Sequence, residues 1–251
     1  MGVKFFVSDF HFGTIGRSDF SALSHFENFC GKNLSSDDEL YILGDLFDFW
    51  IEYKNFVPAK FTEVYSILLN ARKRGVKFFI ARGNHDFFRG EFFEKQGISA
   101  FDGAMKFEQN GKKFLCIHGD GISGNPFRSV VMSVLRNGFF QSLYKLLPPD
   151  FAVWFAETLS DLSRKKPTDK KTQKEKYLKH AFNFAEKKNC DVLIMGHSHI
   201  PDLAAEKGKI YANCGVWFEK PTFIELKENK VFLKEFRTGS EKDIILCEKE
   251  I

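Results

Sequence analysis

The feature that most constrains this chain is a repeated pattern: five short apolar runs, each followed at once by a cluster of Asp, His, Asn and Gly. The runs go from Val3 to Val7, Leu40 to Leu43, Val76 to Ile80, Phe114 to Ile117 and Val192 to Met195. The clusters after them read SDFHFG, GDLFDFW, RGNHDF, HGDG and GHSHIP. Runs this short, rich in Val, Ile and Phe, read as buried strands. Ligands in open α/β sheets collect beyond the carboxyl ends of the strands, so the five clusters are expected to meet at one edge. Five of the seven histidines lie in them; His25 and His180 lie outside and are expected to be satisfied core residues.

Helical patterns separate the first three runs. Ser18 can cap a segment with Phe20, Leu23, Phe26 and Phe29 facing inward and Gly31 at its end. A second segment runs from Pro58 through Phe61, Val64, Tyr65 and Leu68 to Gly75, with proline at its start and glycine past its end. The order is therefore β-α-β-α-β. Near the end, Lys209 to Asn213, Thr222 to Leu226 and Val231 to Phe236 look like strands joined by tight turns, one marked by Glu228-Asn229, and imply a second, partly antiparallel sheet.

Composition narrows the function classes. At 251 residues, 43% apolar and 28% charged, the chain fits one large domain or a core with an insertion, and disordered and collagenous classes are excluded. Lys plus Arg exceed Asp plus Glu by 37 to 33, which favours an anionic partner; with the basic residues gathered in one stretch, no nucleic acid is expected. Cys30, Cys116, Cys190, Cys214 and Cys247 form no C-x-x-C pair and suit a reducing cytoplasm. The N-terminal apolar run is too short for a signal peptide and no stretch approaches the ~18 apolar residues of a membrane span, so a cytoplasmic location is expected.

Residues two apart on an extended chain point to the same side. Asp9 and His11 can therefore face one ion, and His197 and His199 can each reach a neighbouring one. Asp45 can bridge. With Asn84 and His118 these make seven ligands, enough for two divalent ions. Nitrogen and oxygen donors without thiolate favour Mn, Fe or Zn over Ca or Mg. Paired ions form a clamp for in-line displacement at phosphorus.

The ordered set D-x-H, GD-x-x-D, GNHD, H and GHxH, spanning Asp9 to His199, resembles the calcineurin-like metallophosphoesterase superfamily. The resemblance implies an α/β fold, a four-layer α/β/β/α sandwich of two mixed sheets. It implies one ion held by Asp9, His11, Asp45 and His199, and another by Asp45, Asn84, His118 and His197. It makes His85 a proton donor near the leaving group, oriented by Asp48. A carboxylate beside an imidazole keeps it protonated and aimed, although Asp48 could instead cap a turn. Asp86 is expected to fasten loop amides.

The 78 residues between His118 and His197 exceed one crossover helix. We expect a helical lid insertion over 125–185, with the core made of 1–124 and 186–251. After Asn125-Pro126 come Phe127, Val130, Val131, Val134 and Leu135, then an Asn-Gly turn, then Phe139, Phe140, Leu143, Leu146 and Leu147. Asp150 can cap a helix from Phe151 to Leu162 whose Val153, Trp154, Phe155, Leu159 and Leu162 leave apolar surface to spare. Such helices can pack on the body, form a dimer contact, or hold a lipid-like group or a membrane surface. The lysine-dense stretch beginning at Arg164, broken by Pro167, reads as a solvated face or loop, a basic hinge where Arg164 or Lys165 could pair with phosphate oxygens.

GDLFDFW, HGDG and the insertion make the whole chain resemble the branch of the superfamily that contains UDP-2,3-diacylglucosamine pyrophosphohydrolase. That resemblance implies attack of metal-bound hydroxide on the α-phosphorus of a lipid-linked nucleotide sugar, with Mn as the usual ion, substrate contacts at Asn84, Asp120, Arg164 and Lys165, and a peripheral place on the cytoplasmic face of the inner membrane. His85 departs from the branch, whose best-known members have Arg there. A phosphodiesterase or phosphatase acting on a soluble nucleotide or another lipid diphosphate is the alternative; a non-catalytic scaffold is disfavoured because every ligand position is filled.

Overall fold

The computed structural model describes all residues except 1, 15, 54–55, 87–90, 123–132, 135–136, 165–169 and 240, and side chains at 156–157, 159–164, 170–171 and 173 are outside the description as well. Twelve strands form two mixed sheets among the described residues. In the first, β1 (Lys4–Val7), β2 (Glu39–Ile42), β3 (Lys77–Ala81) and β4 (Ser99–Phe101) run parallel, and β10 (Thr222–Lys227), β11 (Lys230–Glu235) and β12 (Ile244–Glu250) extend it antiparallel from β1, in the order β12-β11-β10-β1-β2-β3-β4. The second has the order β5-β6-β7-β9-β8, from β5 (Met105–Gln109), β6 (Lys112–Cys116), β7 (Val192–Met195), β8 (Asp202–Glu206) and β9 (Lys209–Asn213). Its centre, β6-β7-β9, is parallel and both edges are antiparallel.

Period-two alternation sends each central strand's side chains into two cores. Phe6 on β1, Tyr41 and Leu43 at β2, Cys116 on β6, Ile194 on β7 and Ile224 on β10 meet between the sheets. Phe5, Val7, Leu40, Ile42 and Phe223, from the opposite face of the first sheet, pack under α1 (Phe20–Asn33) and α2 (Thr62–Lys73) with Phe26, Phe29 and Leu68. On the outer face of the second sheet, Leu115, Leu193, Met195 and Tyr211 meet Ala181, Phe182 and Ala185. These three come from a long helix, Lys170–Lys187. The result is helix, sheet, sheet, helix: the α/β sandwich expected from the sequence.

Three details differ from expectation. Phe20 opens α1 but is 81% exposed, because at 100° per residue it points away from the face that buries Ala22, Phe26, Phe29 and Cys30. His180 is exposed and His25 is half-buried with its ring near Phe236, so neither is a core histidine. From Lys170 the lysine-dense stretch is helix rather than loop: Tyr177, Leu178, Ala181, Phe182 and Ala185 supply a helical stripe that a charge count conceals. Asn137-Gly138 opens α4 (Gly138–Tyr144), where the Asn137 side chain accepts the Phe139 amide at 2.9 Å; most of the helix expected before this turn lies outside the described residues.

α3 (Phe92–Lys95) precedes β4; α5 (Pro149–Arg164) follows α4, and the Lys170–Lys187 helix is α6. α5 contributes buried Ala152, with Val153 beside it, to a small core with Phe49, Ile51 and Tyr144. The expected helix start at Asn125-Pro126, with Phe127, Val130, Val131 and Leu135, lies outside the described residues. So does Pro167.

Candidate metal centre

All five clusters follow strands whose carboxyl ends lie along one side of the sandwich: β1, β2 and β3 in one sheet, β6 and β7 in the other. Asp9 and His11 do approach each other, with Asp9 Oδ1 3.8 Å from His11 Nε2, but not by extended spacing. Asp9 (φ 55°), His11 (φ 50°), Asp45 (φ 52°), His197 (φ 66°) and His199 (φ 58°) all take left-handed backbone. Each such residue costs about 1–3 kcal/mol unless its surroundings hold it there. Here they do: the amides of Asp9 and His11 donate to the carbonyls of Gly44 and Asp45 at 3.2 and 3.0 Å, and that of His197 donates to Asp9 Oδ2 at 2.9 Å.

Two groups of donor atoms result. In one, His199 Nε2 stands 3.1 Å from Asp9 Oδ1 and 3.2 Å from His11 Nε2. In the other, His118 Nε2 lies 3.3 Å from Asp45 Oδ2, 3.1 Å from Asn84 Oδ1 and 3.2 Å from His197 Nδ1. Asp45 Oδ2 is also 3.7 Å from His11 Nε2, so this carboxylate lies between the groups. Sets of Asp9, His11 and His199 and of Asp45, His118 and His197 each bring their ligand atoms within 4.8 Å of one another.

The chemistry of these atoms fits cations. His118 Nδ1 is 2.8 Å from the Leu43 carbonyl, which can only accept, so Nδ1 carries a proton and Nε2 is the nitrogen whose lone pair is available to a cation when the ring is neutral. That lone pair faces a carboxylate oxygen and an amide oxygen. Asp9 Oδ1 is buried with no well-aligned hydrogen bond. Without a metal, protons must compensate: burial pushes His118 down but the Asp45 charge outweighs it, raising its pKa to about 10. Burial likewise pushes Asp9 up, yet His199 beside it holds the carboxyl down at about 2. Asp45 is also held well below the usual carboxylate range, the imidazoles of His118, His85 and His11 overcoming its burial.

Asp48 is buried between two imidazoles, its Oδ1 3.7 Å from His11 Nδ1 and 3.5 Å from His85 Nδ1. His85 Nδ1 also donates to the Asp48 backbone carbonyl at 3.0 Å, and the His85 amide donates to Asp45 Oδ1 at 2.9 Å. Asp86 accepts the amides of Asp45, Leu46 and Gly83 at 3.1, 2.8 and 2.7 Å, fastening the loops as its position after a strand suggests. Burial and the neighbouring Asp45 charge raise its pKa to about 6. Asp120 is half-buried two residues past His118, and its charge acts on that imidazole. Arg164 ends α5 with its side chain outside the description, and Lys165 lies outside the described residues.

Sequence reasoning passed over Gly44 and Gly83. A Cβ on Gly44 would lie 2.7 Å from His118 Nδ1, and one on Gly83 would collide with Asp45. Their signal was available: each glycine directly precedes a candidate ligand, in GD and GN.

The fold and the site now define a class. The sequence profile described as Calcineurin-like phosphoesterase matches residues 5–201, and the chain belongs to that family of metal-dependent hydrolases. It is 28% identical over 243 residues to UDP-2,3-diacylglucosamine hydrolase of Pectobacterium carotovorum subsp. carotovorum, covering 92% of this chain and 98% of that one. It is 26% identical over 240 residues to the protein of the same name from Porphyromonas gingivalis, covering 85% and 89%. Among solved structures, Vacuolar Protein Sorting 29 from Cryptosporidium parvum shares the fold at a TM-score of 0.50 and 14% identity, over 100% of this chain and 98% of that one.

Proposed function

We propose that the protein cleaves the pyrophosphate bond of UDP-2,3-diacylglucosamine, giving UMP and 2,3-diacylglucosamine 1-phosphate, at a dinuclear centre. Asp9, His11 and His199 would hold one divalent ion and Asn84, His118 and His197 the other, with Asp45 shared; N/O donors without thiolate suit Mn, with Fe or Zn as substitutes. Such ions supply Lewis acidity to phosphoryl oxygens and activate water for in-line attack. The chain's own residues do the rest. With Nδ1 donating to the Asp48 backbone carbonyl and the Asp48 carboxylate 3.5 Å away, the His85 ring is held so that Nε2 would face the departing oxygen as proton donor. Asn84 and Asp120 would contribute contacts at the phosphates, and Arg164 and Lys165 would add cationic ones.

The observation that carries the substrate class is a half-open cavity of about 490 Å³ whose wall starts at Ile51, three residues past Asp48. Tyr53, Phe56, Val57, Pro149, Val153 and Trp154 make that wall largely apolar, suited to a substrate with acyl chains next to its phosphates. The insertion also exposes Phe139, Leu143, Leu146 and Trp154, supporting peripheral contact of this lid with a membrane; no helix among the described residues is long and apolar enough to cross one. The test is turnover of UDP-2,3-diacylglucosamine, a soluble aryl phosphodiester and an aryl phosphomonoester, each with Mn2+ or chelator. Metal-dependent preference for the acylated substrate supports the reading. Equal or better turnover of the soluble diester sinks the lipid assignment.

A further inference from the structure

Arg17 belongs to none of the five clusters, yet its guanidinium donates to two successive backbone carbonyls, those on either side of the His11 α-carbon: to Phe10 O at 3.0 Å and to His11 O. The planar group also lies 3.9 Å from the centre of the Phe218 ring. That ring stands edge-on to two candidate ligands, 6.1 Å from His11 and 6.3 Å from His199. Asp19 anchors the arrangement, with Oδ1 3.6 Å from Arg17 and Oδ2 accepting the Gly13 amide.

We propose that Arg17 and Phe218 are a positioning pair for the ion held by Asp9, His11 and His199, an inference that rests on the dinuclear reading above. Asp9 and His11 both sit in left-handed backbone, a conformation that drifts unless outside contacts fix it. The amides of Asp9 and His11 are held by the loop after β2, but their turn's carbonyls face the other way, toward residues from both ends of the chain. The Trp217 amide takes Asp9 O at 3.3 Å, and Arg17 takes the next two carbonyls. The stacked guanidinium thus ties the turn after β1 to the 217–218 segment that precedes β10. Its charge is spread over a plane that fits both the two carbonyls and the ring, which an ammonium does not match. The contacts of the pair fall on the turn that carries Asp9 and His11 and beside His199, so the pair acts first on the ion of that group.

The test is isothermal titration of the metal-stripped full chain with Mn2+, comparing wild type, Arg17→Ala, Arg17→Lys and Phe218→Leu, with thermal unfolding of each metal-free protein alongside. Wild type should take up two ions. Arg17→Ala should weaken one of them roughly ten- to a hundredfold, the usual scale for outer residues that orient ligands, and leave the other unchanged. Phe218→Leu should weaken the same ion by less, and Arg17→Lys should restore part of the loss. Equal weakening of both ions, or wild-type affinity in Arg17→Ala, overturns the proposal. If Arg17→Ala does not unfold cooperatively, the Lys and Leu variants decide by the same criteria. Failure of the wild-type chain to take up Mn2+ overturns the dinuclear reading itself, and the pair's role with it.

Discussion

At the scale of single residues, the site is built from conformations that ordinary side chains avoid. Five candidate ligands occupy left-handed backbone, and the glycines between them let neighbouring loops touch. Which residues converge was legible from their types and order. How they converge was not, because extended spacing was the only geometry the sequence offered for D-x-H and H-x-H. The same close approach makes Gly83 a sensitive position. A methyl there collides with the amide and carboxylate of Asp45, so backbone must move. Gly83→Ala should destabilise the metal-free protein by about 1–3 kcal/mol, roughly 2–4 °C of melting temperature per kcal/mol. It should also abolish the further rise in melting temperature that Mn2+ gives wild type. A variant that melts like wild type with and without Mn2+ would show that Asp45 does not depend on this contact.

At the scale of elements, eight strands were readable, five from short apolar runs, the clearest of them where burial on both faces removes polar positions, and three near the end from segments joined by tight turns. β4, β5, β8 and β12 were missed. β5 alternates in burial, so it forms no apolar run, and β12 opens on Ile244-Ile245-Leu246 but leaves all three exposed. A signal for the β5–β6 hairpin was present and passed over: Asn110-Gly111, both at positive φ, has the chemistry of a tight hairpin turn. α6 was hidden for a different reason: its charged face outnumbers the stripe that packs on β7 and β9. The insertion's α5 carries the element-scale prediction. Val153 and Trp154 line the cavity beside Ile51, and Trp154 remains 57% exposed, so its removal costs the body little. Trp154→Ala should raise KM for the diacylated substrate several-fold, about 1–2 kcal/mol of lost apolar contact, while kcat/KM for a soluble aryl phosphodiester stays at the wild-type value. Parallel loss on both substrates would place Trp154 in the fold rather than in substrate binding.

At the scale of the whole molecule, the sandwich explains why one site needs residues from Asp9 to His199. The loops of the first sheet deliver four of the seven candidate ligands and those of the second deliver three, and the core of Phe6, Tyr41, Cys116 and Ile194 between the sheets fixes the distance between the two groups. The order of the five clusters announced a shared edge, but not which sheet each strand would join; that depends on β10 pairing antiparallel with β1 and β9 pairing with β7. The central claim is that this edge holds two ions with the Asp45 carboxylate between them. Crystals grown with Mn2+ and measured at the manganese absorption edge test it most directly. The account predicts two anomalous peaks about 3.5–4 Å apart, one among Asp9, His11 and His199, the other among Asn84, His118 and His197, with Asp45 touching both. A single peak, or none within reach of Asp45, would contradict it.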